Sequence, residues 1–105
     1  MSTLSMYART FDRNCPAWSP DRENNLMFLR YMQHYCNDLL KLKGKVYLSD
    51  VYEKLGFPVD QASRMVGWRY FEDNTSGDNY IDFGLFDLEI SDDSIVLDFN
   101  VDGII

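Results

Sequence analysis

The chain of 105 residues is 46% hydrophobic and 15% aromatic, enough for one hydrophobic core and too rich in aromatics for a disordered acidic segment. Its formal charge of −7 is unevenly placed: residues 1–71 carry ten Lys/Arg against seven Asp/Glu, a balance of +3, whereas residues 72–105 carry ten Asp/Glu and no Lys, Arg or His. No stretch approaches the roughly 20 apolar residues of a membrane span and no basic-then-apolar leader opens the chain, so the sequence predicts a cytoplasmic protein with no membrane contact.

Residues 1–18 show no sustained periodicity and read as an N-terminal arm, tied down by aromatics near Trp18, with a disordered beginning. Ser19-Pro20-Asp21 supplies a hydroxyl cap, a proline suited to the first helical position and a carboxylate for the first turn. The helix this opens is predicted to run to about Lys43. Leu26, Leu29, Met32, Cys36, Leu39 and Leu40 recur along it at three- and four-residue steps, and Lys41, Lys43 and Gly44 form a cationic last turn and a stop. Ser49–Gly56 reads as a short helix in which Asp50 and Glu53 cap reciprocally, and Val59–Val66 as a third helical stretch after a Phe57-Pro58 turn. Such a pair suggests a helix–turn–helix, but Arg64 and Arg69 are too few cations to hold DNA phosphates, so packing is the expected use and no direct nucleic-acid contact is predicted.

From Gly67 the period changes to two. Gly67–Phe71 and Asn79–Phe86 read as strands either side of a polar turn at Asp73–Asp78, and a third strand spans Ser94–Gly103. In that third strand Ile95, Leu97, Phe99 and Val101 share one face, and Val96, Asp98, Asn100 and Asp102 the other. The predicted fold is therefore α+β in a single domain over residues 1–105. An arm (1–18) precedes a helical part with a long core helix and a short helical pair (19–66), and then comes an acidic three-stranded antiparallel meander (67–105).

The stretch from Asn25-Leu26 onward, notably Val46–Gly56, Val66-Gly67-Trp68, Gly77–Gly84 and Ser94–Gly103, resembles a family of small uncharacterised proteins of bacterial mobile elements and phages, with a domain of unknown function. The resemblance covers about residues 25–105 and brings no catalytic residues with it. It implies an accessory protein acting on a host or phage partner, inhibition of a host defence being one such role.

Three constellations bear on function. Asp98-x-Asn100-x-Asp102-Gly103, with Ile105 two further on, matches the first half of a calcium loop, which would make Asp98, Asn100 and Asp102 ligands for Ca²⁺. The second half is missing, and a strand spreads alternate side chains about 6.8 Å apart, too far for one ion without a turn. Second, strand parity puts Asp78 and Asp82 on one surface with Asp98 and Asp102, with Tyr80 and Asn100 between them. Charged outer faces of this kind ordinarily keep a sheet edge soluble and unpaired. The functional reading is a surface, extended by Asp87, Glu89, Asp92 and Asp93, that docks on a basic partner protein in place of nucleic-acid phosphates. Third, Trp68, Tyr70 and Tyr80 offer an aromatic face for self-association. Catalysis is not expected: His34 and Cys36 point about 200° apart on one helix, and no phosphate loop, nucleophile elbow or zinc spacing occurs. The two cysteines are read as reduced thiols, and no cofactor is predicted. The sequence thus points to a non-enzymatic binding protein, with a cation-stabilised structural or self-associating module as the alternative.

Overall fold

The computed structural model describes residues 5–74, 77–85 and 94–105. Helix α1 (Arg22–Lys43) starts two residues later than a Ser19 cap predicts, because Ser19 is used ahead of it. The Asn25 amide exchanges two 2.8 Å hydrogen bonds with the Ser19 backbone, and the Ser19 hydroxyl accepts from Asp21 N–H at 3.1 Å. Asp21 is left to cap the helix, its Oδ1 accepting from Glu23 N–H at 2.9 Å. At the other end Gly44 adopts φ 80 and donates its N–H to the Leu40 carbonyl at 2.8 Å, so the helix stops where the sequence places the stop.

Strand β2 (Lys45–Tyr47) leads directly into helix α2 (Leu48–Leu55), which has Tyr47 at its cap and no capping side chain. The Asp50–Glu53 reciprocal cap is therefore corrected: the helix begins before Ser49, which leaves Asp50 inside its first turn. The third helical stretch shrinks to one 3₁₀ turn, Ala62–Arg64. Asp60 and Ser63 build the turn: Ser63 N–H donates to Asp60 Oδ1 at 2.8 Å, and Asp60 N–H to Ser63 Oγ at 3.1 Å. The chain then leaves at once for strand β3 (Val66–Arg69), and so short a segment cannot repay helix nucleation. The helix–turn–helix expectation falls with it.

The predicted meander is replaced by two small antiparallel sheets. Strand β1 (Arg9–Asp12), which sequence reasoning left inside the arm, pairs with β4 (Ser94–Leu97), setting Phe11 opposite Ile95. The second sheet has the order β2-β3-β5, with β5 (Gly103–Ile104) at its edge. The segment read as one strand over Ser94–Gly103 thus serves two sheets. In the described part of the expected strand Asn79–Phe86 no ladder forms. Gly67, in the middle strand of the second sheet, is a glycine because a Cβ there would run into the Val46 carbonyl oxygen and come within 2.8 Å of Tyr47 Cα.

The core joins all these pieces. Phe11, Leu29, Leu40, Val51, Tyr52, Trp68, Ile81, Phe83, Ile95 and Leu97 are buried together. Phe11 stacks on Phe28 at 5.7 Å, and Phe83 meets Phe99 edge-on at 5.3 Å. The arm belongs to this core: Tyr52 donates its hydroxyl to the Tyr7 carbonyl at 2.7 Å, and Arg9 lies over the Tyr52 ring at 4.8 Å. Among the described residues no helix is long and apolar enough to cross a membrane.

Candidate functional site

The strand parity read for residues 94–102 is the one observed. Ile95, Leu97 and Phe99 are buried, and Asp98, Asn100 and Asp102 lie half-buried on the other side. What those polar side chains do is brace backbone. Asp98 accepts from Ser5 twice, from its hydroxyl at 2.6 Å and its N–H at 3.1 Å, which fastens the start of the described chain to its last third. Asp102 accepts from the N–H groups of Arg69, at 3.1 Å, and of Asp78. Burial raises its pKa and the nearby Asp78 charge adds to the rise, while the two N–H groups work against it.

Asn100 is the hub of this surface. Its Oδ1 accepts from Asp82 N–H at 2.7 Å and from the Trp68 indole at 2.9 Å. Its amide nitrogen donates to the Tyr80 carbonyl at 2.9 Å and to Asp78 Oδ2 at 3.0 Å. Asp82 in turn takes Gly84 N–H at 2.8 Å, closing a tight local turn. These bonds tie Asp78, Asp82, Asn100 and Asp102 into one network without the paired strands that parity assumed, and Asp98 is committed to Ser5. Asp78 is exposed, whereas Asp82, Asp98 and Asp102 are each partly covered. The aromatic face is not formed as predicted, because Trp68 is buried and spends its indole N–H on Asn100.

The same segment is held from behind by two residues that sequence reasoning passed over. Gln33 Oε1 accepts from Phe83 N–H at 2.9 Å, and Asn37 both accepts from Ile81 N–H at 2.7 Å and donates to the Ile81 carbonyl at 2.9 Å. One turn apart on α1, these amides present to residues 81–83 the donor and acceptor groups that a neighbouring strand would otherwise supply. Their signal was available: both lie on the inward line of α1 with Leu26, Leu29, Cys36 and Leu40, where a polar residue has to find a partner.

For the calcium reading, the oxygens of Asp98, Asn100 and Asp102 serve three different backbone segments. Among the described residues no cluster of three or more His, Cys, Asp or Glu side chains is placed to hold a metal ion. Asp87, Glu89, Asp92 and Asp93 lie outside the described residues. His34 is exposed and pairs with Asp38 at 3.6 Å, while Cys36 is buried on the opposite side and its thiol is pushed up to about 11, chiefly by burial.

Two small sheets and a long helix, with an amide-and-carboxylate clasp joining residues 78–84 to 100–102, define a small α+β protein that uses part of its polar surface to hold its own backbone. The chain matches, over residues 1–105, a family of unknown function, DUF6353, and belongs to it. The match takes in residues 1–24, for which the resemblance offered no counterpart, in keeping with the place of β1 in the core. No curated protein and no solved structure matches the chain.

Proposed function

We propose that this is a non-enzymatic binding protein of the cytoplasm, whose acidic C-terminal third engages a basic protein partner that itself handles nucleic acid. In this reading it is an accessory protein of a phage or mobile element, and occupying the partner's phosphate-binding groove inhibits that partner, a host-defence protein among the candidates. The observation that carries it is uncompensated charge. The two ion pairs of the described residues, Arg9–Asp60 and His34–Asp38, lie within residues 9–60, and neither draws on Glu72, Asp73, Asp78, Asp82, Asp98 or Asp102, the described acids beyond Phe71. Glu72, Asp73 and Asp78 stand exposed around one turn, which Asn79 clamps by donating to the Phe71 carbonyl at 2.9 Å and accepting from the Asn74 amide at 2.7 Å. Exposed carboxylates in a third of the chain that has no Lys, Arg or His favour a cationic groove and speed encounter with it.

The clasp changes which carboxylates can be tested. Neutralising Asp98 or Asp102 would disturb Ser5 and Arg69, so the informative variant combines Glu72→Gln and Asp73→Asn with Asp78→Asn, whose amide oxygen still accepts from Asn100. The tagged full chain, used to capture proteins from lysate at low and high salt, is expected to retain a basic nucleic-acid-binding protein that high salt or added duplex DNA releases. The triple variant should lose most of it. Retention that ignores salt, DNA and the triple variant alike would refute the proposal.

A further inference from the structure

We propose that the outward face of α1 is a homodimer interface, in which a second copy of the chain packs its α1 antiparallel to the first. This does not rest on the acidic-face reading and uses a different set of residues. A helix lying on a core ordinarily turns charged residues to solvent on its opposite face. In α1 the inward line is Leu26, Leu29, Gln33, Cys36 and Leu40, all buried. Roughly 180° away at 100° per residue lie Met27, Tyr31, Tyr35 and Leu42. They are 66%, 67%, 42% and 81% exposed, a ridge of large apolar side chains along the pole that should be most polar. Tyr35 is partly sheltered by Lys54, whose ammonium lies 5.6 Å from its ring, and Asp38 interrupts the ridge while paired to His34.

The charges around the ridge select the occupant. Glu23 is the acid of the first turn, and Lys41 and Lys43 are the cations of the last. Glu23 and Lys41 are eighteen residues apart, about five turns, so they stand on the same flank of the ridge at opposite ends, about 27 Å apart along the axis. A two-fold axis near Tyr31 therefore sets Glu23 against the partner's Lys41 and, by symmetry, Lys41 against the partner's Glu23. It also lays the positive end of each helix dipole beside the negative end of the other. Tyr31 and Tyr35 meet the same pair from the partner at the centre, and Asp38 comes within a side chain's reach of the partner's Asn24. A parallel pairing would lay like ends of the two helix dipoles side by side and leave Glu23 about 27 Å along the axis from the partner's Lys41, so the charge pattern favours the antiparallel one.

The area sets the strength. A strip about 27 Å long and about 10 Å wide buries a few hundred Å² per copy, below the ~800 Å² of a standard interface, so dissociation is expected on the order of tens to hundreds of micromolar. Sedimentation and light scattering of the full chain from about 5 µM to about 1 mM span that range. Wild type should pass from monomer to dimer across it. The double variant Y31A/L42A, both exposed positions in which alanine favours the helix, should keep its helical circular dichroism and remain monomeric. E23K alone and K41E alone should each weaken the dimer several-fold, and an equimolar mixture of the two should restore it, since each faulty pairing becomes complementary in the heterodimer. A monomer at every concentration refutes the interface. Association indifferent to Y31A/L42A, as in head-to-tail docking of the acidic end on another copy, also refutes it, and failure of the mixture to restore the dimer refutes the antiparallel arrangement.

Discussion

Asn37→Ala tests whether a helix side chain does the work of a missing strand. Ile81 is fully buried, and Asn37 satisfies both its N–H, at 2.7 Å, and its carbonyl, at 2.9 Å. The third bond of the side chain, to the Gln33 carbonyl at 2.9 Å, involves an oxygen within the helix and adds little. Truncation leaves one buried donor and one buried acceptor unpaired, each worth about 1–3 kcal/mol. A cleft of about 270 Å³ lined by Arg30, Gln33, His34, Asn37, Asp38, Lys41 and Tyr80 lets water reach the site, which favours the lower half of that range. The expected loss is thus about 2–4 kcal/mol from a domain whose whole stability is about 5–15 kcal/mol. Urea unfolding should show the midpoint falling by about 1–2 M with little change in slope. Native-state hydrogen exchange should show the Ile81 amide, and with it Phe83, opening well before global unfolding. Asn37→Asp keeps the acceptor for Ile81 N–H but faces the Ile81 carbonyl with a carboxylate, so it should be no better than alanine at neutral pH. A stability within about 0.5 kcal/mol of wild type, with Ile81 exchange unchanged, would refute this account of the segment.

Burial raises Cys36 from 9.0 to about 11 and Tyr52 from 10.0 to about 12, the latter despite the Arg9 charge near its ring. The folded state therefore keeps protons that the unfolded chain gives up. This stabilisation is complete below about pH 9 and is lost as pH rises, over 9–11 for Cys36 and 10–12 for Tyr52, by at most about 2–3 kcal/mol each. Urea midpoints should fall between about pH 8 and about pH 11, less steeply in Cys36→Ser; a flat profile would contradict the burial of both groups. For the calcium motif, millimolar Ca²⁺ should leave Tm unchanged, because Ser5, Asp82, Trp68 and Arg69 hold the oxygens in question; a rise of about 5 °C or more would mean that Asp98, Asn100 and Asp102 converge on an ion.

The long helix was legible because its apolar spacing and its glycine stop are local signals, and both ends of the α+β description survive. The sheets were not. Alternation reveals which face of residues 94–101 is buried, and Ile95, Leu97 and Phe99 are the buried ones, but it carries no information about which strand lies alongside. The partner turned out to be Arg9–Asp12, four residues with one inward side chain, Phe11, too short to show a period. The third helix failed for the converse reason. Asp60 and Ser63 do form a helix-opening box, but Val66-Gly67 is already strand, and the second sheet wins the residues the helix would need.

Charge misleads in a more instructive way. An Asp in a strand reads as a solvated outer residue, and a block of them reads as a surface for others. A carboxylate, however, is also the side chain best able to accept two donors at once: Asp102 takes two backbone N–H groups, and Asp98 takes the N–H and the hydroxyl of Ser5. The price is visible at Asp102, whose pKa burial raises even as those donors favour its charged form. Where a chain lacks a regular ladder, as over residues 79–84, two backbone bonds remain, from Asp98 N–H to the Phe83 carbonyl and from Asn100 N–H to the Asp82 carbonyl, and side chains must serve other groups, a task that Asn37, Gln33, Asn100 and Asp82 divide. The carboxylates left over are those the loops carry outward. It follows that the acidic third has two populations: an inner set whose replacement should lower stability before it touches binding, and an outer set, Glu72 and Asp73, whose replacement should do the reverse; Asp78, exposed yet accepting from Asn100, belongs to both. Measuring both quantities on both sets separates the structural use of this charge from its use toward a partner.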